Sequence, residues 1–191
     1  MVATEEEPNR RPGGRSARVR AEVHQAVLGL LREQDPDELT FALVAERSGV
    51  HQATIYRRWG TLPALMDDVV TELLSRSSPL PDTGSLRGDL ESYAVRAARD
   101  VAGPLGARIL RAVVLASRSG EERVYLAERA GQLQSMLDRA AGRGERVPTV
   151  PELLEVVLAP LYYRVLFMHQ PATDDDARTL VDRLLAIAQA R

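Results

Sequence analysis

The sequence has no cysteine and few aromatic residues. The absence of cysteine among its 191 residues excludes a disulfide framework, a thiol nucleophile and a thiolate metal site. Phe, Trp and Tyr make up 4% of the chain, so we do not expect a broad pocket of stacked aromatic rings. A soluble folded protein is still expected, because 45% of the residues are hydrophobic and 27% are charged.

Long apolar runs are also missing. No stretch approaches the roughly 20 apolar residues that a membrane-spanning helix needs. Residues 1–20 are polar, first acidic and then basic, and lack the apolar segment of a signal peptide. We therefore expect a cytoplasmic protein without a membrane partner, formed from one large domain or two small ones.

The chain lacks a recognisable catalytic set. Its three histidines, His24, His51 and His169, lie in unrelated segments. No HExxH pair, glycine-rich phosphate loop, serine elbow or EF-hand loop occurs. We expect no enzyme activity, no metal and no cofactor. A helical enzyme is the alternative, which turnover or metal dependence would support.

Three consecutive acids, Asp174 to Asp176, are interpreted as the start of a helix rather than as a metal site. Thr173 precedes them, so that Asp176 takes the third helical position of a variant capping box. Carboxylates in the first turn also suit the helix dipole.

Positive charge is concentrated near the N-terminus. The net charge is −2 overall, but residues 8–65 contain nine arginines and six acids, a local charge of +3. Such a distribution is what a DNA-facing end needs.

Apolar residues recur with helical period almost throughout, and no stretch alternates with period two. The sequence therefore predicts an all-α protein. Asp35-Pro36-Asp37 ends the first helix, and Thr61 is placed to cap a later one. Residues 79–84, which contain two prolines and a glycine, form the predicted domain boundary.

The spacing of Ala45, Gly49 and Ile55 predicts two short helices joined by a tight turn. A small side chain at Ala45 permits a close helix crossing, Gly49 adopts a positive φ cheaply, and Ile55 faces the shared core. On this pattern alone, an ordinary helical hairpin and a DNA-binding helix-turn-helix are equally acceptable.

The second helix favours DNA binding. With Ile55 and Trp59 inward, Ala53 and Arg57 point outward, and Gln52 lies at the N-terminal tip. Thr54 and Tyr56 flank them, so the face is rich in hydrogen-bond donors suited to phosphates and base edges. Residues 52–60 contain no acid, which avoids repulsion of phosphate.

An arginine-rich arm precedes the first helix. Residues 8–20 hold five arginines and no acid, and Gly13-Gly14 is expected to be too flexible for regular structure. Such an arm can follow the DNA backbone or enter a minor groove. A disordered, solvated tail is the alternative, and Glu5, Glu6 and Glu7 partly oppose DNA binding.

The run LTFALVAERSGVHQATIYRRWGTLPAL, residues 39–65, resembles the DNA-binding signature of the tetracycline-repressor (TetR) family. Its specific part is Thr54-Ile55-Tyr56 followed by Trp59-Gly60 and Ala64-Leu65. Beyond residues 16–75, only the helical layout and the run APLYYR at 159–164 resemble the family. The resemblance implies an all-helical homodimer with a three-helix DNA-binding domain and a larger domain for ligand and dimer contacts.

The resemblance assigns phosphate contacts to Thr54, Tyr56 and Arg58, and positions nearest the base edges to Gln52, Ala53 and Arg57. Two positions depart from the family pattern. His51 stands where a capping serine is usual, and Leu62 where a lysine often contacts the backbone. The full predicted DNA-binding set is Arg15, Arg18, Thr40, His51, Gln52, Ala53, Thr54, Tyr56, Arg57 and Arg58.

The predicted organisation is a flexible arm (1–15), a helix-turn-helix domain (16–78, recognition helix about 51–58) and a helical ligand-binding and dimerisation domain (79–191). Dimer contacts are assigned to two C-terminal helices, about 150–169 and 174–189, which are apolar on broad faces. Intramolecular core is the alternative for these faces. Pro160 is expected to kink the first of them.

A pocket for an unknown small-molecule effector is inferred from aromatic, soft or polar side chains among apolar helices. Each of them could instead belong to the core or the surface. The candidates are Tyr93, Arg108, Met136, Tyr162, Tyr163 and Phe167.

Taken together, these features predict a transcriptional regulator, in particular a ligand-responsive repressor that binds a pseudo-palindromic operator of double-stranded DNA as a homodimer. The alternative is an all-helical interaction or scaffold protein with a vestigial helix-turn-helix. The salt dependence of DNA binding separates the two.

Overall fold

The computed structural model describes residues 13–77, 80–116 and 124–190, and these residues form helices and loops with no strand. The predicted all-α class is confirmed. The helices are α1 (Gly13–Glu33), α2 (Phe41–Ser48), α3 (Gln52–Trp59), α4 (Leu62–Ser77), α5 (Leu86–Ala102), α6 (Pro104–Ala116), α7 (Val124–Gly142), α8 (Val150–Leu153), α9 (Ala159–Tyr163) and α10 (Asp174–Gln189).

Helix α1 begins at Gly13, so the prediction that Gly13-Gly14 is too flexible for regular structure is wrong. Arg15, expected in the arm, also belongs to the helix. The first amides of a helix have no intrahelical acceptor, and each residue added to an existing helix gains a hydrogen bond. Two glycines at this end therefore weaken the helix little.

The first core lies among α1 to α4. Val27, Val44, Ile55 and Leu65, one from each helix, are fully buried there. Ala112 of α6 belongs to the same core. Helix α6 is thus packed against the N-terminal helices although it follows the predicted domain boundary.

Arg108, a predicted pocket residue, lies at this contact and lines none of the cavities described below. Its Nη1 donates to the carbonyl oxygens of Leu31 (3.2 Å) and Arg32 (2.6 Å) at the end of α1. The last carbonyls of a helix lack intrahelical donors, and a guanidinium satisfies them while it complements the negative end of the dipole. The side chain therefore ties α6 to α1.

The second core joins α5, α7, α10 and the segment 150–168. Leu90, Leu133, Leu161 and Leu184 are fully buried in it. Met136 is fully buried there as well, and it lines none of the cavities described below. Its soft side chain fills the core, and its role in effector binding stays a prediction.

Two π-helical turns join α8 and α9 into one continuous helical segment, 150–168. They are Leu154–Leu158 and Arg164–Met168, and they lie on either side of Pro160. Proline has no amide hydrogen to donate, so a regular α-helical pattern cannot pass through it. The helix is therefore irregular on both sides of Pro160, with two wider turns, and the expected kink stays a prediction. The segment ends at His169 in the left-handed conformation (φ 53°).

The start of α10 agrees with its prediction. Thr173 accepts a hydrogen bond from the amide of Asp176, whose carboxylate accepts one from the amide of Thr173. The acids of this turn also form ion pairs, Asp174 with Arg99 and Asp175 with Arg178.

Among the described residues, no helix combines the length and the apolar composition that a membrane-spanning segment requires.

Candidate DNA-binding surface

Helices α2 and α3 form the predicted hairpin. The Thr40 hydroxyl accepts a hydrogen bond from the amide of Leu43 and so caps α2. Gly49 ends α2 at φ 69°, and its amide donates to the carbonyl of Ala45. A residue with a Cβ would be strained at this φ, so glycine makes the turn possible.

His51 precedes α3, where the family usually has a capping serine, and its side chain forms no capping hydrogen bond. The imidazole is exposed. Ile55 is fully buried and Trp59 is half-buried, so the inward face of α3 is as predicted.

The opposite face of α3 is open to solvent. Gln52, Ala53 and Arg57 are exposed, and the Tyr56 ring is 63% exposed while it packs edge-on against Phe41. Thr54 is half-buried at the margin of this face. No hydrogen bond or ion pair from the described residues engages Gln52 or Arg57. These two polar side chains are therefore available to an external partner.

Arg58 and Arg18 are already engaged within the chain. Arg58 donates to the Ser16 hydroxyl of α1 (2.6 Å), and its guanidinium lies 5.2 Å from the centre of the Trp59 ring. Arg18 forms an exposed ion pair with Glu22 (2.8 Å). An ion pair this exposed is weak, and the partner of the exposed Arg58 is a neutral hydroxyl, so both arginines can exchange these partners for phosphate.

Arg15 is exposed in the first turn of α1, on the same helix as Arg18 and the Ser16 partner of Arg58. The predicted arm upstream, with Arg10 and Arg11, lies outside the described residues.

Asp68 of α4 joins three helices, and the sequence analysis did not identify it. Its carboxylate accepts hydrogen bonds from Arg20 (2.6 Å) and His24 (2.8 Å) of α1 and from Trp59 Nε1 (2.9 Å) of α3. His24 is buried, at 6% exposure. The network fixes the C-terminal end of α3 relative to α1 and α4.

This network sets the ionisation of Asp68. Burial alone raises the pKa of its carboxyl, but the hydrogen bonds from His24, Arg20 and Trp59 outweigh that effect and hold the pKa well below its usual range. The group is therefore a carboxylate at neutral pH. Arg20 and His24 lie one helical turn apart on α1, but they are 48 and 44 residues from Asp68, so spacing along the chain carries no signal for this contact.

The predicted pocket residues do not all meet. Tyr93 and Tyr162 line one cavity of about 470 Å³ between α5, α7 and the segment 150–168. Tyr163 and Phe167 lie outside it, on the surface, with ring centres 5.1 Å apart and exposures of 56% and 69%. They point away because they occupy the other side of the same helical segment, which periodicity alone did not distinguish.

A second cavity, of about 490 Å³, lies between α4, α5 and α6. Asp100, Val101 and Tyr162 line both cavities. We call the first the α7 lobe and the second the α6 lobe.

Residues 80–184 match a known protein family, the tetracycline-repressor-like C-terminal domain. The chain belongs to the TetR family. The resemblance seen in the helix-turn-helix is thereby confirmed from the opposite half of the chain.

Two curated relatives are HTH-type transcriptional regulators. AqdR from Rhodococcus erythropolis is 33% identical over 135 residues, a match that covers 69% of this chain and 65% of that protein. The chain thus spans about two thirds of the length of AqdR. YdeS from Bacillus subtilis, named as an uncharacterized regulator, is 26% identical over 171 residues. The match covers 83% of this chain and 86% of YdeS.

Solved structures of TetR-family regulators share the fold. The regulator SCO0332 superposes with a TM-score of 0.67 at 28% identity, covering 88% of this chain and 97% of that chain. A regulator from Rhodococcus sp. RHA1 superposes with a TM-score of 0.65 at 21% identity, covering 94% of this chain and 98% of that chain. This second similarity concerns the fold alone.

Replacement of Asp68 tests the network. Asp68→Asn removes the charge that Arg20, His24 and Trp59 share, and we expect it to lower the free energy of unfolding by about 2 kcal/mol at pH 7. Because the folded-state pKa of Asp68 is depressed, its stabilisation is present above the ordinary carboxyl pKa of about 4 and is lost as the pH falls further. The difference in the free energy of unfolding between variant and wild type, measured by urea unfolding, should therefore become smaller below about pH 4.

The control is Glu46→Gln, which removes an exposed carboxylate from α2. We expect it to change stability by less than about 0.5 kcal/mol. Equal effects of the two substitutions at pH 7 would contradict the role assigned to Asp68.

Proposed function

We propose that this protein is a ligand-responsive transcriptional repressor that binds a pseudo-palindromic operator as a homodimer in the cytoplasm. The observation that carries the proposal is the exposed face of α3, where Gln52 and Arg57 have no partner in the described part of the chain. Family membership supports it.

In this proposal α3 enters the major groove. Arg57 binds a base edge, and its planar guanidinium is suited to guanine O6 and N7. Gln52 contacts an adjacent base from the N-terminal tip of the helix. Tyr56, Thr54 and Arg58 hold phosphates on either side, and these contacts set the register of the helix. His51 and Thr40 extend the phosphate contacts, and the exposed methyl group of Ala53 suits a thymine methyl.

The first turn of α1 adds positive charge to the same end of the protein. Arg15 and Arg18 are exposed there, and Arg58 reaches Ser16 beside them. Each phosphate neutralised by an arginine releases condensed counterions, so affinity falls as salt rises. Leu62 supplies no charge where the family often has lysine. The affinity should therefore fall less steeply with salt, by the equivalent of about one phosphate contact.

The dimer contact is assigned to the segment 150–168 and α10. Tyr163 and Phe167 form an exposed aromatic pair, which is costly to leave in water. A groove of about 540 Å³ beside them is lined by Glu155 and Arg183 among others. A two-fold partner presents the same surface, so acidic and basic groups of this kind can complement each other across the axis.

Effector binding is assigned to the two lobes. Both are lined mainly by apolar residues with a few polar groups, as small-molecule sites are. The α6 lobe is lined by Val70 of α4 as well as by Ile109 of α6. A ligand there touches the DNA-binding helices directly, which supports a link between occupancy and operator affinity.

The role of Arg57 is tested by alanine substitution. Arg57→Ala should weaken operator binding by about 1–3 kcal/mol and relax the preference at one base position, because a bidentate base contact is lost. Quantitative gel shifts with a panel of single-base operator variants measure both effects.

Arg146→Ala removes the same charge from the C-terminal half, where Arg146 donates to the carbonyl of Gln189. It should leave affinity and preference unchanged. If Arg57→Ala behaves like this control, Arg57 does not read a base.

The dimer surface is tested by Phe167→Asp. A charge in the centre of an aromatic contact should weaken the dimer by about 2–4 kcal/mol, which sedimentation equilibrium detects as monomer at micromolar concentration. Ala42→Asp is the control, because Ala42 is exposed on α2, a helix that packs against α1 and α3 and not against the proposed surface. A dimer that survives Phe167→Asp unchanged places the contact elsewhere.

A further inference from the structure

We propose that the two lobes form one bent effector site. The site selects an apolar molecule that carries a neutral or cationic hydrogen-bond donor, and it discriminates against anions. The donor of the ligand binds the carboxylate of Asp100. The inference rests on the proposed function, because it names the chemical class of the effector for the same site.

The two lobes are neighbours, because three residues line both of them, and we treat them as one site. The α7 lobe (about 470 Å³) and the α6 lobe (about 490 Å³) share Asp100, Val101 and Tyr162. Each lobe is within the size range of sites for drug-sized molecules. A ligand that passes these three residues contacts Ala130 of α7 in one lobe and Ile109 of α6 in the other, so its body must be apolar.

Asp100 is the acceptor at the junction. No described residue donates a hydrogen bond to its carboxylate, and Arg96 and Arg129 act on it through their charge. Burial raises the pKa of the Asp100 carboxyl above its ordinary value, against the opposing effect of these two arginines. The Asp100 side chain is exposed to solvent, and a carboxylate without a donor from the protein is stabilised by a ligand that supplies one.

The cations of the two lobes are already bound to other groups. Arg99, in the α6 lobe, forms a two-pronged ion pair with Asp174. Arg129, in the α7 lobe, donates to the side chain of Gln132 (3.0 Å) and lies 5.0 Å from the centre of the Tyr93 ring. An anionic ligand would compete with the carboxylate of Asp174 for Arg99 and would also be repelled by Asp100. The electrostatics therefore favour a donor over an acceptor.

The hydroxyl groups of Tyr93 and Tyr162 offer further hydrogen bonds but do not change the preference for a ligand with a hydrogen-bond donor. Tyr93 is buried in the α7 lobe, and burial raises the pKa of its hydroxyl despite the nearby Arg129. It therefore stays neutral. Tyr162 borders both lobes. Both rings offer apolar faces to the body of the ligand, while Asp100 selects its polar group.

Three probes with the same chain distinguish the head groups. Decylammonium, decanol and decanoate differ only at the polar end, and each is titrated into the full-length protein by calorimetry below its micellar concentration. Decylammonium should bind at least about tenfold more tightly than decanoate, because a hydrogen bond to a charged group separates them. Decanol should lie between the two.

Asp100→Asn tests the residue. The amide keeps the shape of the side chain but removes its charge, so the preference for decylammonium should fall to about threefold or less. Asp138→Asn removes a carboxylate from α7 at a position that lines neither lobe. This control should keep the full preference.

Equal or tighter binding of decanoate to the wild type, an unchanged preference in Asp100→Asn, or no saturable binding of any probe would overturn the inference. Operator binding is measured on the same preparations without probe. Intact operator binding with no head-group preference refutes the ligand class alone, whereas a preserved preference without operator binding supports this inference and refutes the proposed DNA function.

Discussion

The N-terminal helices depend on the carboxylate of Asp68, because it is where α1, α3 and α4 are held to one another. Arg20 and His24 approach it from α1, and the Trp59 indole approaches it from the end of α3. A helix of eight residues is marginal by itself. The orientation of α3 is therefore set by this contact at one end, by the Gly49 turn at the other and by buried Ile55 between them.

The same constraint explains which side chains remain available to DNA. With Trp59 held inward by Asp68, helical geometry turns Arg57 outward, and Arg58 lies against Trp59 and Ser16. Helix α6 then connects this unit to the second core. Ala112 is buried among the DNA-binding helices, Arg108 caps α1, and Ile109 lines the α6 lobe. A single helix thus contributes both to the support of the DNA-binding unit and to the wall of the cavity.

Local patterns predicted the elements well, and tertiary contacts were harder to predict. Gly49 was identifiable because a positive φ favours glycine, and Thr173 because capping is confined to a few residues. The pocket was only partly identified, since Tyr162 and Tyr163 are neighbours in sequence but lie on different sides of one helix. Arg108 and Asp68 could not be assigned from spacing, because their partners are 77 and 48 residues away. Which helices pack together decides such contacts.

The most direct test of the account is selection of bound sites from random double-stranded DNA with the full-length protein. The account predicts enrichment of two half-sites related by two-fold symmetry, spaced by about one helical turn or a multiple of it. That result would establish sequence-specific binding and the dimer together. Recovery of unrelated sequences, or of single half-sites without a symmetric partner, would contradict the claim that a homodimer reads its operator through α3.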